Sequence, residues 1–336
     1  MKVSRSVALR TLLGLAVSAV AIYVLASSVD IPTALQVLSS AVPAWVLVMI
    51  GTVFVDVAAR AGRWQALLAP VATVAYRRVL GYTYLGYLAN NVLPARLGEL
   101  VRSHALGSGE GVSTTTVLGT VVVERIVDTI IVVAVAALAV ALLDVSGFIT
   151  TAVLLGGAFV GLLVAGLIGA IVLHRMPGVG RFLALAKRWP RLIDLAARLR
   201  EGLAVAASPR SLSLALVLSA VAWTASIGTF WVAGQAVGVE LTFVQAGLLS
   251  SGVALVTIVP SAPGYAGTFE LTAVAIAGLF GVAAEPALAM ALLVHAMILG
   301  VTSVGGVIAF FTGRRRSPRA EQPDGGDPAV ADADPV

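Results

Sequence analysis

The chain has 336 residues, of which 59% are hydrophobic and only 12% charged, with a formal net charge of +5. A soluble domain would be about half apolar and about a quarter charged, so this composition predicts a polytopic membrane protein. The absence of cysteine excludes disulfides, thiol catalysis and cysteine-ligated metals. No glycine-rich phosphate loop is present and the three histidines are scattered, so we expect neither ATP-driven work nor a metal or other cofactor.

Long apolar segments in the sequence predict helices that cross the membrane. The first follows three basic residues and also fits a secretory signal peptide, but the later topology requires a crossing there. Two further apolar segments, residues 79–93 and 243–259, are shorter. Fifteen helical residues reach only about 22 Å, whereas the hydrocarbon core is ~30 Å thick. The predicted spans are residues 11–26, 43–59, 117–143, 149–173, 212–237 and 286–311.

Basic residues are concentrated in four places along the chain. The amino terminus, residues 60–78, residues 174–210 and the cluster after residue 313 hold 19 of the 22 lysines and arginines. By the positive-inside rule these regions and both termini are predicted to be cytoplasmic, in a plasma-membrane protein. Apolar residues at helical spacing within 174–210 fit a basic amphipathic helix on the membrane surface or a plain cytosolic helix.

The predicted orientation constrains the short segments. Residues 79–93 and the polar stretch after them must enter and leave on the cytoplasmic side, as a re-entrant pair or two thin spans. The turn at residues 90–94 forms the first tip. A second pair, with its tip at residues 260–267, must dip from the other side. We therefore predict an all-α fold with six full spans and two re-entrant or short helix pairs in an inverted repeat, a common plan for transporters.

The predicted domain organisation follows from this repeat. An integral membrane domain covers residues 1–312, with halves at about 7–144 and 147–312. Residues 313–336 are rich in proline, glycine and aspartate, and this composition predicts a disordered cytoplasmic tail.

A polar stretch at residues 90–102 stands out between apolar segments. Its proline and glycine suit a helix break followed by a helix start, where free backbone N–H groups favour an anion. Arginine adds a planar fork that matches phosphate. We therefore interpret the stretch as a binding site for a lipid phosphate; the alternative is a cytoplasmic loop with purely structural ion pairs. The candidate residues are Asn91, Pro94, Arg96, Gly98, Glu99 and Arg102.

Three charged residues, Glu124, Arg125 and Asp128, lie about a third of the way along a predicted span. A charge at the centre of a membrane helix costs about 2.5–3.5 kcal/mol on insertion scales, so these residues should face the protein interior. They could neutralise Arg96 or Arg102, or carry protons or a cation for coupling. The alternative is a buried structural ion network.

The second predicted tip contains Pro263, Gly264, Gly267 and Glu270. The prolines and glycines predict an unwound segment with exposed backbone amides, which we expect to contribute to substrate binding. For Glu270, simple capping of the following helix is an alternative. His295, on the last span, is interpreted as a hydrogen-bonded core residue. Asp56 and Arg60 are interpreted as an interfacial pair.

In this order, Asn91-x-x-Pro94-x-Arg96-x-Gly98-Glu99-x-x-Arg102, Glu124-Arg125-x-x-Asp128 and Pro263-Gly264-x-x-Gly267-x-x-Glu270 resemble the motifs of a known family. It is the lysylphosphatidylglycerol synthase transmembrane-region family, also called the flippase-like domain family. The resemblance covers about residues 7–312 and implies re-entrant elements. Tyr265 departs from the small residue found there in many members.

The resemblance implies a function in moving phospholipid between leaflets. Longer members carry a separate cytosolic domain that attaches an amino acid, and the residues after 311 leave no room for it. The sequence therefore resembles a stand-alone member, and we expect no enzymatic activity.

Our leading hypothesis is a lipid translocase for an anionic phospholipid or lipid-linked intermediate. The alternative is a non-catalytic membrane partner or scaffold of a glycosyltransferase or lipid-modifying enzyme, since some stand-alone members are linked with such enzymes. A membrane lipid is the expected partner, and nucleic acid is not.

Overall fold

The computed structural model of the protein describes residues 5–93, 97–145, 147, 150–151, 154–158, 161–162, 209–257 and 259–314. Within these ranges the regular structure is helical and contains no strand. Several helices are long and apolar enough to cross a membrane, which confirms the predicted all-α polytopic class. The main helices are α1 (Arg5–Ser28), α2 (Ile31–Ser39), α3 (Pro43–Leu68), α4 (Tyr76–Val92), α5 (Gly98–Glu110), α6 (Thr114–Leu142), α7 (Pro209–Val237), α8 (Phe243–Val256), α9 (Thr268–Gly278) and α10 (Ala284–Arg314).

Helix ends follow local sequence signals. The Asp30 carboxylate accepts the backbone N–H of Thr33 at the start of α2, and Pro43 opens α3, where a missing N–H costs nothing. Thr242 and Gln245 form a reciprocal capping box at the start of α8. α5 stops at Gly111, whose φ of 68° is left-handed and therefore favours glycine.

The structure corrects one predicted boundary. The second span was predicted to end at residue 59, with Arg60 and Arg63 in the following loop. Instead α3 continues to Leu68. After Pro43 at its first position, α3 contains no further proline and no two adjacent glycines that would break it. A carboxylate on α3 neutralises Arg60, and one on α6 neutralises Arg63. The two charges consequently lie inside the helix bundle and not in a solvated loop.

Helices α4 and α5 form an antiparallel hairpin. At one end, the Gly98 N–H donates to Asn90 Oδ1 over 2.7 Å. At the other end, Arg78 Nε lies 2.7 Å from Glu110 Oε1, which also accepts from the Tyr82 hydroxyl. The helices have 17 and 13 residues, or about 26 and 20 Å, less than the ~30 Å core of a bilayer.

A second pair of short helices, α8 and α9, has 14 and 11 residues. They pack at Gly252, where an added Cβ would lie 2.2 Å from Ile276 Cδ1. A 3-10 turn, Pro263–Tyr265, lies between them. The order long helix, short pair, long helix thus occurs in α3–α6 and again in α7–α10. Re-entry into a membrane and an inverted symmetry remain predictions.

Several sequence predictions fall outside the described residues. These are Pro94 and Arg96, most of the span at 149–173, nearly all of the basic segment 174–210 and the tail after residue 314. The count of six spans therefore also remains a prediction.

Candidate functional site

Charged side chains from α3, α5 and α6 form one ion network in the helix bundle. It contains four arginines and three carboxylates, which leaves one positive charge unmatched among these residues. Charges inside a membrane protein are costly unless they pair with one another, and they commonly mark substrate or ion pathways. The members are Asp56, Arg60, Arg63, Arg102, Glu124, Arg125 and Asp128.

Asp128 binds Arg63 in a two-pronged ion pair. Arg63 Nη1 donates to Asp128 Oδ1 over 2.5 Å and Nη2 donates to Oδ2 over 3.1 Å. Arg63 is 0% exposed and Asp128 5% exposed. Trp223 of α7 also donates its indole N–H to Asp128 Oδ1 at 3.1 Å. This bidentate geometry is the strong form of a charge-assisted pair, and it joins α3, α6 and α7.

Glu124 holds three arginines on a single oxygen. Its Oε1 lies 3.1 Å from Arg63 Nη2 and 3.0 Å from both Arg102 Nη2 and Arg125 Nη2. Arg102 is buried, whereas 48% of the Arg125 side chain is exposed. Arg125 also reaches Asp128 Oδ2 at 3.4 Å. Of the three arginines, Arg125 is thus the one with a largely accessible side chain.

Two tryptophans each cover one arginine of the network. The Arg102 guanidinium lies 4.4 Å from the centre of the Trp64 ring, and that of Arg60 lies 5.1 Å from the Trp223 ring. Trp64 in turn donates its indole N–H to Thr120 at 3.0 Å. Cation–π contacts in a desolvated site are worth about 2 kcal/mol, so the tryptophans help to compensate the burial of these charges.

The structure places the predicted residues of the first tip in different roles. Asn91, in the last turn of α4, donates its amide to Thr302 and Ser303 of α10, at 2.9 and 3.0 Å. Gly98 starts α5, Glu99 lies half-buried in its first turn and Arg102 belongs to the ion network.

The second tip is fixed by Glu270 and His295. Glu270 accepts the Gly267 N–H at 2.8 Å, which is the predicted cap, and its other oxygen lies 2.5 Å from His295 Nδ1. His295 Nε2 lies 2.6 Å from the Gly264 carbonyl oxygen. Both ring nitrogens of His295 therefore face oxygen atoms, one of the Glu270 carboxylate and one of the Gly264 carbonyl. The structure confirms His295 as a buried hydrogen-bonded residue.

Left-handed backbone bends the chain at the second tip. Gly264 has φ 70° and Gly267 has φ 85°, values that cost glycine little. Between them Tyr265 has φ 63°, a strained value for a bulky residue. Pro263 opens the 3-10 turn ahead of these residues. The predicted break between two helices is therefore confirmed.

The two tips touch each other and α1. A Cβ added to Gly264 would lie 3.8 Å from the carbonyl oxygen of Asn91. Ser18 of α1 accepts the Ala262 N–H at 2.8 Å, and an added Cβ on Gly14 would lie 2.7 Å from the Ser261 carbonyl oxygen. The first helix thus packs directly on the second tip.

His295→Phe tests the fixation of the second tip. Phenylalanine can keep the stacking on Phe269, whose ring centre lies 4.4 Å from that of His295, but it donates no hydrogen bond. Hydrogen bonds to a charged group are worth about 1.5–3 kcal/mol, so we expect a clear fall in the thermal unfolding temperature. His104→Phe, at an exposed histidine, is the control with little expected effect. Equal unfolding temperatures would contradict the assigned contacts.

Sequence reasoning missed Arg63 and treated Arg60 as interfacial. The signal was present: Asp56, Arg60 and Arg63 are spaced four and three residues apart, which places them on one helix face. No group of His, Cys, Asp and Glu in the described part of the chain could hold a metal ion.

The comparisons agree with the polytopic helical architecture. The family model for the lysylphosphatidylglycerol synthase TM region matches residues 11–306. The chain belongs to this family and is a multi-pass membrane protein. No curated protein matches the chain.

Proposed function

We propose that the protein is a lipid translocase that moves an anionic, phosphate-bearing lipid between the leaflets of the cytoplasmic membrane. The observation that carries this proposal is the half-exposed Arg125 beside the shared oxygen of Glu124. Its helix, α6, is apolar enough to cross a membrane. An arginine fork at such a position suits a phosphate that has left bulk water.

In this proposal the buried members position the site and Arg125 takes the head group. Arg63 and Arg102 fix Glu124 and Asp128 through ion pairs. The arriving phosphate competes with these carboxylates for Arg125, and the unmatched positive charge of the network favours its binding. Arg96, outside the described residues, keeps its predicted role in head-group binding. Glu99, Glu124 and Asp128 balance charge or couple to protons.

The touching tips supply the moving part. The short helices α4, α5, α8 and α9 are each below the length of a full span, and side-chain hydrogen bonds and small residues hold their tips. Separation of the tips would open a polar path between the leaflets. The basic ends of the helices face the cytoplasm in this arrangement.

Arg125→Gln tests the head-group role. Loss of one charge-assisted contact of about 1.5–3 kcal/mol predicts a fall of at least about tenfold in lipid translocation. The measurement is movement of a fluorescent anionic phospholipid in proteoliposomes, read by chemical quenching of the outer leaflet. Arg210→Gln, at an exposed arginine outside the network, is the matched control and should retain full activity.

The results of this assay distinguish the translocase hypothesis from the scaffold hypothesis. Activity in the unaltered protein with equal rates for both variants would remove Arg125 from the site. No movement of any anionic lipid, together with co-purification of a glycosyltransferase or lipid-modifying enzyme, would favour the scaffold.

A further inference from the structure

A largely apolar groove lies between α3, α4 and α10. It has a volume of about 580 Å³, within the about 300–1,000 Å³ of typical small-ligand sites. Its lining runs along α10 from Met297 to Thr312, which corresponds to about 22 Å of helix. This exceeds the ~15 Å that one leaflet contributes to the hydrocarbon core. The groove is therefore long enough for one acyl chain.

Small residues shape the groove. α4 and α10 approach closely at Gly81, where an added Cβ would lie 3.8 Å from Ala309, and at Gly305, which packs against the ring of Tyr84. A Cβ on Gly300, by contrast, would meet nothing within 4 Å. The missing side chain at Gly300 therefore contributes directly to the open volume.

The groove has one basic end. Arg77 lies one helical turn before Gly81 and shares this end with Thr312. The neighbouring Arg78 pairs with Glu110, but no carboxylate of the described residues forms an ion pair with Arg77. An unpaired guanidinium at the mouth of an apolar groove matches the charge pattern of an anionic phospholipid.

The other end of the groove leads toward the first tip. The contact of Gly305 with Tyr84 is followed, further along the same seam, by the hydrogen bond from Asn91 to Thr302. A chain lying in the groove thus extends from Arg77 toward the point where the two tips meet.

We infer that this groove binds one acyl chain of an anionic phospholipid, with its phosphate at Arg77. The groove would hold the lipid before its head group moves to the ion network; this step rests on the proposed function. The binding itself does not require translocation. Arg77 supplies the preference for an anionic lipid, and the gap at Gly300 supplies room for the chain.

Two pairs of variants test the site in the purified, delipidated full chain. Native mass spectrometry counts phosphatidylglycerol and phosphatidylcholine retained from mixed micelles. Gly300→Leu fills the groove and should abolish the tightest-bound lipid. Arg77→Gln should lower the preference for phosphatidylglycerol about fivefold, the factor for about 1 kcal/mol per basic residue at an anionic surface.

The controls use the same substitutions elsewhere. Gly51→Leu lies on exposed α3 surface, where an added Cβ also meets nothing within 4 Å, and Arg210→Gln changes another exposed arginine; both should bind lipid as the unaltered protein does. Leucine raises helix propensity at either glycine, and thermal unfolding verifies the fold. The inference is overturned if folded Gly300→Leu retains as much phosphatidylglycerol as Gly51→Leu, or if Arg77→Gln keeps the full lipid preference. A protein that binds lipid here but moves none would keep this site and overturn only the proposed function.

Discussion

Asp128→Asn should lower the free energy of unfolding by about 3–5 kcal/mol, the cost of removing one partner from a buried ion pair. The substitution keeps the shape of the side chain but removes its charge. Arg63 then loses its bidentate carboxylate in a position that is 0% exposed. The network would hold four arginines against two carboxylates. The loss of unfolding free energy is measured by unfolding the protein in mixed micelles while its helix content is monitored.

The matched control is Asp144→Asn, at an exposed aspartate just beyond the end of α6. Asparagine tolerates the left-handed backbone of this residue, whose φ is 49°, so the change should stay within about 0.5 kcal/mol.

Adding Arg63→Met to Asp128→Asn restores the original excess of one positive charge. The double variant should therefore lose about 1–3 kcal/mol less than the sum of the two single losses. Strict additivity would show that the two side chains do not act as a pair.

Gly98→Ala should separate the arms of the first hairpin. The added Cβ would lie 2.1 Å from the Gly86 carbonyl oxygen and 2.5 Å from Asn90 Oδ1. The Gly86 carbonyl belongs to the backbone of α4, so it cannot rotate away as a flexible side chain can. Overpacking of this kind costs about 1–3 kcal/mol. Arg102 follows one turn later on α5 and contacts Glu124, so translocation should fall together with stability.

The control for this change is Gly278→Ala, in the last turn of α9, where an added Cβ meets nothing within 4 Å. Alanine there gains up to about 1 kcal/mol of helix propensity. The thermal unfolding temperature should therefore fall for Gly98→Ala and stay the same or rise for Gly278→Ala. An unchanged melting temperature for Gly98→Ala would contradict the close backbone contact.

The sequence was informative wherever a local signal existed. The hairpin around residues 90–102 was predictable because its polar residues interrupt an apolar segment that is too short to cross. Glu124 and Asp128 were predictable as inward-facing because charges on a spanning helix need partners, whereas the same prediction was wrong for Arg125, whose side chain is 48% exposed. The break at Gly264 and Gly267 was predictable from residue types that favour left-handed backbone.

Long-range partners were not predictable. Nothing in the spacing of α1 indicates that Ser18 caps the tip at Ala262, 244 residues away. The end of α3 was misplaced because a window of hydropathy treats every arginine as a loop signal. Arg63 is tolerated in the helix because Asp128 and Glu124 approach it from another helix, a fact that depends on tertiary packing.

The central claim is that lipid passes where the two tips meet, and a reversible cross-link tests it most directly. The chain has no cysteine, so Val92→Cys and Ala262→Cys introduce unique thiols, each within two residues of the contact between Asn91 and Gly264. A short thiol-specific linker with a cleavable bond can join them in proteoliposomes. Each single-cysteine variant, treated in the same way, is the control.

The measurement is movement of fluorescent anionic phospholipid before linkage, after linkage and after cleavage of the linker. Translocation should proceed in the free double variant, stop when the tips are joined and return after cleavage, while the single-cysteine controls stay active throughout. Undiminished translocation with the tips covalently joined would contradict passage of lipid between the tips.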